Sequence, residues 1–130
     1  EFVAATAGAA MVAAFGVNRL TYAEDTPGMI TQTVTLTLKA GAEEKAMATL
    51  KELTEAVKAN EPGVLCYIAH RSQSDPSKVV FFEVYKDQDA VSNHSKQPHM
   101  AKMFAVAREI FDGGMDIQKM DRISGFSRES

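Results

Sequence analysis

Apolar and polar residues alternate from Thr33 to Leu38, as Thr-Val-Thr-Leu-Thr-Leu, and this period of two predicts a half-buried β-strand. Gly41 breaks the pattern, and Glu43 and Glu44 follow where carboxylates favour the first turn of a helix. Ala46, Leu50, Leu53 and Val57 then recur at helical spacing, one apolar stripe on a helix of four or five turns. Asn60-Glu61-Pro62-Gly63 stops it, because proline cannot continue a helix and glycine permits the turn.

Two runs follow, residues 64–71 and 78–86, joined by the polar loop Ser-Gln-Ser-Asp-Pro-Ser. They predict a hairpin. Asp87 is placed to cap a short helix through Val91, and Pro98 suits the first turn of another. That second helix presents Met100, Met103, Phe104, Ala107, Ile110 and Phe111 inward, with Gly113-Gly114 as its end. A last strand is expected from Met115 to Ile123. The order β-α-β-β-α-β is the ferredoxin-like split βαβ arrangement of the α+β class, with both helices on one face of an antiparallel sheet.

The hairpin is apolar on both faces. Val64, Cys66 and Ile68 alternate against Leu65, Tyr67 and Ala69, and Val79-Val80-Phe81-Phe82 carries no polar residue. Helices cover one face only, and a soluble monomer avoids a large bare apolar patch on the other. The expected cover is a second copy of the sheet, packed about a two-fold axis to give a homodimer.

Composition narrows the function. At 130 residues the chain makes one domain with a sizeable core. A net charge of −3 offers no basic field for nucleic acid or an anionic membrane. The single Cys66 excludes an internal disulfide framework, so a cytoplasmic location is expected. Residues 1–29 read as an extension: an uncharged, alanine-rich segment from Val3 to Val17, expected to be a packed helix or a trimmed targeting segment, then a connector. That run is too short for a comfortable membrane span. Residues 30–125 form the core domain and 126–130 a tail.

Few residues carry chemistry. His94 and His99 straddle a helix break at Pro98, a spacing that fits no recognised metal site. A histidine titrates near neutrality and suits an acid–base role, although a capping role explains His94 as well. His70 lies at a strand end, the weakest of the three placements. Tyr67 and Tyr85 lie on buried strands, as core residues or as donors to a ligand. Glu83 interrupts an apolar strand and must be paired, with Arg71 on the neighbouring strand as the expected cation. Met100 and Met103 suit the mouth of an apolar pocket as well as a core. No phosphate loop, nucleophile elbow or flavin fingerprint is present in the sequence.

The Asn60-Glu61-Pro62-Gly63 turn, Leu65 and Tyr67, Glu83 and Tyr85, then Ala90 and His94, together resemble the antibiotic biosynthesis monooxygenase family over about residues 30–125. The resemblance implies a dimeric α+β barrel. It implies a cofactor-independent monooxygenase that uses molecular oxygen on a small apolar phenolic, quinol or polyketide-like substrate. On that reading His94 and Tyr85 are catalytic, and Tyr67, Glu83, His99, Met103 and Phe104 bind substrate. Some members are non-enzymatic binding or stress proteins, and isomerisation of a small ketone would use the same acid–base groups. The haem-degrading branch is disfavoured: the chain has no tryptophan, Thr33 stands near the position of that branch's asparagine, and Phe104 stands near that of its iron ligand.

Overall fold

The computed structural model describes residues 28–128. The expected N-terminal helix, most of its connector and the end of the tail lie outside the described residues. The chain runs β1 (Ile30–Leu38), α1 (Glu43–Asn60), β2 (Val64–Arg71), β3 (Lys78–Tyr85), α2 (Gln88–Ser95), α3 (Pro98–Ile110) and β4 (Phe111–Met120). The four strands form one sheet in the order β2-β3-β1-β4, and every neighbouring pair is antiparallel. This is the ferredoxin-like α+β fold, with the second helical segment divided in two.

The alternating strand reading holds for β1. Gln32, Val34, Leu36 and Leu38 are buried, and the threonines between them are half-buried on the other face. The helical stripe also holds, since Ala46, Leu50, Leu53 and Val57 are the buried residues of α1. They pack with Val34, Leu36, Leu38, Val79 and Phe81 of the sheet and with Met100, Met103 and Ile110 of α3. Asp87 caps α2 through a hydrogen bond from the Ala90 amide at 2.8 Å. The helix continues past Val91 to Ser95 and so carries His94.

Two bulges correct the simple pattern. The register of β2 against β3 shifts between Val64 and Cys66. Val64 therefore packs on the core with Tyr67 and Ala69, while Leu65 turns outward with Ile68. A one-residue insertion reverses facing, because side chains alternate with period two.

The second correction lies in β4, which starts at Phe111 directly after α3 rather than beyond the glycine pair. Thr35 pairs with Asp116 and Thr37 with Asp112, so Gly113 and Gly114 fall inside an irregularity of the strand. Gly113 takes φ +69°, a conformation that glycine reaches without steric cost. Beyond Met120, residues 121–128 form no helix or strand.

Candidate functional site

Among the described residues the buried polar side chains are Gln32, Glu61, Glu83 and His94. Strand register brings two of these together, because Gln32 of β1 sits opposite Glu83 of β3. Gln32 Nε2 donates to Glu83 Oε2 at 2.7 Å, and the Tyr85 hydroxyl donates to the same oxygen at 2.9 Å. Lys119 Nζ of β4 donates to Gln32 Oε1 at 3.3 Å, which fixes the orientation of the Gln32 amide. The expected Arg71–Glu83 pair does not form. Arg71 lies opposite Val79, four residues along β3 from Glu83 or roughly 13 Å at strand spacing. Its Nε donates instead to the Pro76 carbonyl at 2.7 Å.

The second cluster is built on Glu61, only 2% exposed. Glu61 is the C-cap residue of α1, where the following Pro62 stops the helix. His94 Nδ1 lies 2.9 Å from Glu61 Oε1 and 3.2 Å from Oε2. His99, at the start of α3, places its Nε2 against Oε2 of the same carboxylate. The break between α2 and α3 thus folds the two histidines around one acceptor. An ionised carboxylate can only accept, so Nδ1 of His94 carries the hydrogen. In the neutral imidazole this leaves a lone pair on Nε2, which has no hydrogen-bond partner among the described residues.

Gly63 explains how α2 comes so close. A Cβ at this position would stand 2.9 Å from the Cβ of Ala90, inside ordinary contact distance. Gly63 and Ala90 are therefore a matched pair of small residues that let α2 approach the start of β2, bringing His94 onto Glu61.

A cavity of about 600 Å³ opens beside both clusters. Gln32, Tyr67, Glu83, Tyr85, His94 and Ser95 line it with the charged Lys39, Arg108 and Asp112, and Val34, Leu36, Phe81, Met100, Met103, Phe104 and Ile117 make up much of its apolar wall. Phe104, expected on the inner side of its helix, is 48% exposed but still borders this space. His99 is not among the lining residues and faces Glu61. The bulged Gly113-Gly114 segment forms part of the rim. A smaller cleft of about 380 Å³ lies between α1 and the β2 edge, and Tyr67 borders both.

The two tyrosines differ in what their protons do. Both rings meet the His94 ring edge-on, with centroids 5.3 Å away for Tyr67 and 5.6 Å for Tyr85. Burial, then the charges of Glu83 and Glu61, pushes the Tyr67 phenol well above its ordinary range. Burial, then the charge of Glu83 and the hydrogen bond to it, does the same for Tyr85. Both remain neutral donors. Tyr85 spends its proton on Glu83, whereas the Tyr67 hydroxyl bonds to no described group.

Sequence reasoning brought His94, Tyr67, Tyr85 and Glu83 to one cavity but assigned no site role to Glu61 or Gln32. Glu61 did carry a signal. A carboxylate at a helix C-terminus opposes the helix dipole, and such a local conflict points to a partner elsewhere. Among the described residues no helix is long and apolar enough to cross a membrane, and no group of three His, Cys, Asp or Glu side chains is arranged to hold a metal ion.

The chain is similar to a protein from Caulobacter crescentus provisionally assigned as an antibiotic biosynthesis monooxygenase, with 25% identity and a TM-score of 0.71 over 80% of this chain and 99% of that one. A provisionally assigned protein of the same description from Bacteroides thetaiotaomicron shares the fold at 22% identity and a TM-score of 0.73, covering 80% and 99% of the two chains. A conserved protein from Methanosarcina mazei shares it at 20% identity and a TM-score of 0.68, covering 75% and 95%. Among curated proteins no sequence matches significantly. The family model described as antibiotic biosynthesis monooxygenase matches residues 29–106, which include every side chain of the two buried clusters except Lys119, and the chain belongs to that family.

Proposed function

We propose that this protein is a cofactor-independent monooxygenase that oxidises a small apolar phenolic, quinol or polyketide-like molecule with O2. The observation that carries the reading is His94: Glu61 occupies Nδ1, and the cavity it borders is otherwise mostly apolar. That arrangement suits a general base whose tautomer is set by its neighbour.

The chemistry balances without an added reductant. His94 Nε2 takes the proton of the substrate hydroxyl, and the Tyr67 hydroxyl donates to the phenolate oxygen. The anion passes one electron to O2, and the resulting radical and superoxide join as a carbon-bound peroxide. Loss of water from the peroxide gives a quinone, so one oxygen atom enters the product and the other leaves as water. Both electron pairs come from the substrate. The protein contributes one positioned proton transfer, one oxyanion donor and a cavity poor in water.

A homodimer is part of this reading. Leu65, Ile68 and Phe82, exposed by 53%, 50% and 38%, lie together on the sheet face away from the helices, an apolar area suited to a second copy. A cytoplasmic setting is part of the same reading, supported by the free thiol of Cys66.

The test is oxygen uptake over a panel of phenols and hydroquinones. One O2 should be consumed per quinone formed, and His94→Ala should lower the rate by about 10²–10⁴-fold, as a positioned base contributes. A loss of only two- or threefold, or turnover that persists without O2, overturns the proposal.

A further inference from the structure

Glu83 is a carboxylate only 4% exposed on the floor of the cavity, and its hydrogen bonds are lopsided. Gln32 Nε2 and the Tyr85 hydroxyl both donate to Oε2. Oε1 receives no donor among the described residues. Buried polar atoms are normally satisfied, and a carboxylate oxygen is among the costliest to leave bare. The two donors on Oε2 hold the group in place and leave Oε1 as the acceptor that a ligand in the cavity can use.

We infer that Glu83 Oε1 is the second polar anchor of the substrate and accepts a hydrogen bond from a hydroxyl at the end of the molecule away from His94. The inference rests on the reading of this cavity as the substrate site. It narrows the ligand to an apolar body with hydroxyl donors at both ends, one acidic and facing His94, one held by Glu83. A neutral hydroxyl is favoured over an ammonium, because Lys39 and Arg108 line the cavity against the single further carboxylate Asp112, and Lys119 is bonded to Gln32 beside Glu83. Tyr67 touches both sides of the site: it pairs with Glu83 in the strand register, and its ring meets the His94 ring at 5.3 Å.

The hydrogen-bond pattern also dictates what an isosteric change would do. In Glu83→Gln the side-chain oxygen must keep the position that receives Gln32 and Tyr85, since Lys119 holds the Gln32 amide with Nε2 toward residue 83. The new amide nitrogen then replaces Oε1. An acceptor becomes a donor at the same place.

The experiment is equilibrium binding of 2,6-dihydroxynaphthalene and 6-methoxy-2-naphthol to the full chain without oxygen, followed by ligand fluorescence. The two ligands differ in whether the second end can donate and by one methyl group, and the Glu83→Gln comparison separates the hydrogen bond from the added bulk. The wild-type protein should bind the diol roughly 10- to 100-fold more tightly, the range for a hydrogen bond to a charged group. Glu83→Gln should abolish or reverse that ratio, and His94→Ala should keep it. Equal affinities in the wild type overturn the inference whether or not the variant folds, and so does a ratio unchanged in a folded Glu83→Gln protein. Neither result depends on turnover, so the anchor can fail while the oxygenase reading stands, and the reverse.

Discussion

The inner face of the sheet has two ends that obey different rules. At one end Leu36 sits beside Val79 and Val34 beside Phe81, beneath the apolar stripe of α1. At the other end of the same two strands Gln32 sits beside Glu83, with Tyr85 and His94 close by. The backbone is continuous β-structure throughout. What changes is the covering: α1 and α3 close the first end with apolar side chains, while α2 and the first turn of α3 bring imidazoles to the second; Val34, Leu36 and Phe81 of the first end also wall the cavity. An apolar end gains stability in proportion to the area it buries. A polar end gains little and must satisfy each atom, so its residues are explained by what they hold in position.

The largest expected effect separates the two ends by stability. Leu50→Ala removes a side chain that is 4% exposed at the apolar end and is not among the residues lining the larger cavity. It should destabilise the fold by about 2–5 kcal/mol, as large-to-small core changes do, and leave ligand affinity within twofold. Thermal unfolding and the binding assay above measure both quantities. An affinity loss as large as that of a cavity residue would mean that the two ends are coupled.

The apolar end was readable from the chain because its logic is periodic. Ala46, Leu50, Leu53 and Val57 announce their face by spacing alone, and so do Val34, Leu36 and Leu38. The polar end was readable only in its inventory. His94, Glu83 and the two tyrosines were visible as chemistry-bearing residues, but the partners were not, since they are set by strand register. Arg71 looked adjacent to Glu83 on a neighbouring strand, yet antiparallel pairing puts it opposite Val79. The bulges at Leu65 and at Gly113-Gly114 likewise depend on how strands are pulled by what they pack against, and no local period reports them. Phe111 reads as the last helical apolar residue by spacing, but its backbone is extended and it opens β4.

A smaller effect probes the joint that brings α2 to the polar end. Gly63→Ala places a methyl 2.9 Å from the Ala90 Cβ, a contact that neither short side chain can relieve by rotating. The helix must retreat, and His94 with it. The expected cost is about 1–3 kcal/mol, as for overpacking, together with a fall in turnover that exceeds any fall in ligand affinity. Ala90→Gly in the same chain should restore both by removing the opposing methyl, offset by about 1 kcal/mol for glycine inside a helix. If the double variant is no better than Gly63→Ala, the close approach of these two residues is not what seats α2.

The smallest effect, and the one that reports most directly on the polar end, is alkaline stability. Tyr67 and Tyr85 hold their protons more tightly in the folded chain than a free phenol does, first through burial and then through the charge of Glu83. An unfolded tyrosine titrates near pH 10. Below that pH both states keep the proton, and the full contribution of each tyrosine to stability is present. Above it the unfolded chain releases protons that the folded chain retains, and stability falls by up to about 1.4 kcal/mol per pH unit for each phenol. Tyr67→Phe is the cleaner probe, because the lost hydroxyl bonds to no described group while Tyr85 anchors Glu83. Unfolding curves between pH 9 and 11.5 should show a shallower decline for Tyr67→Phe than for the wild type, with little difference at pH 8. Surface lysines contribute to both curves alike and cancel in the difference. Parallel declines would mean that Tyr67 ionises as easily folded as unfolded, and that burial and the charge of Glu83 do not hold its proton in the folded chain.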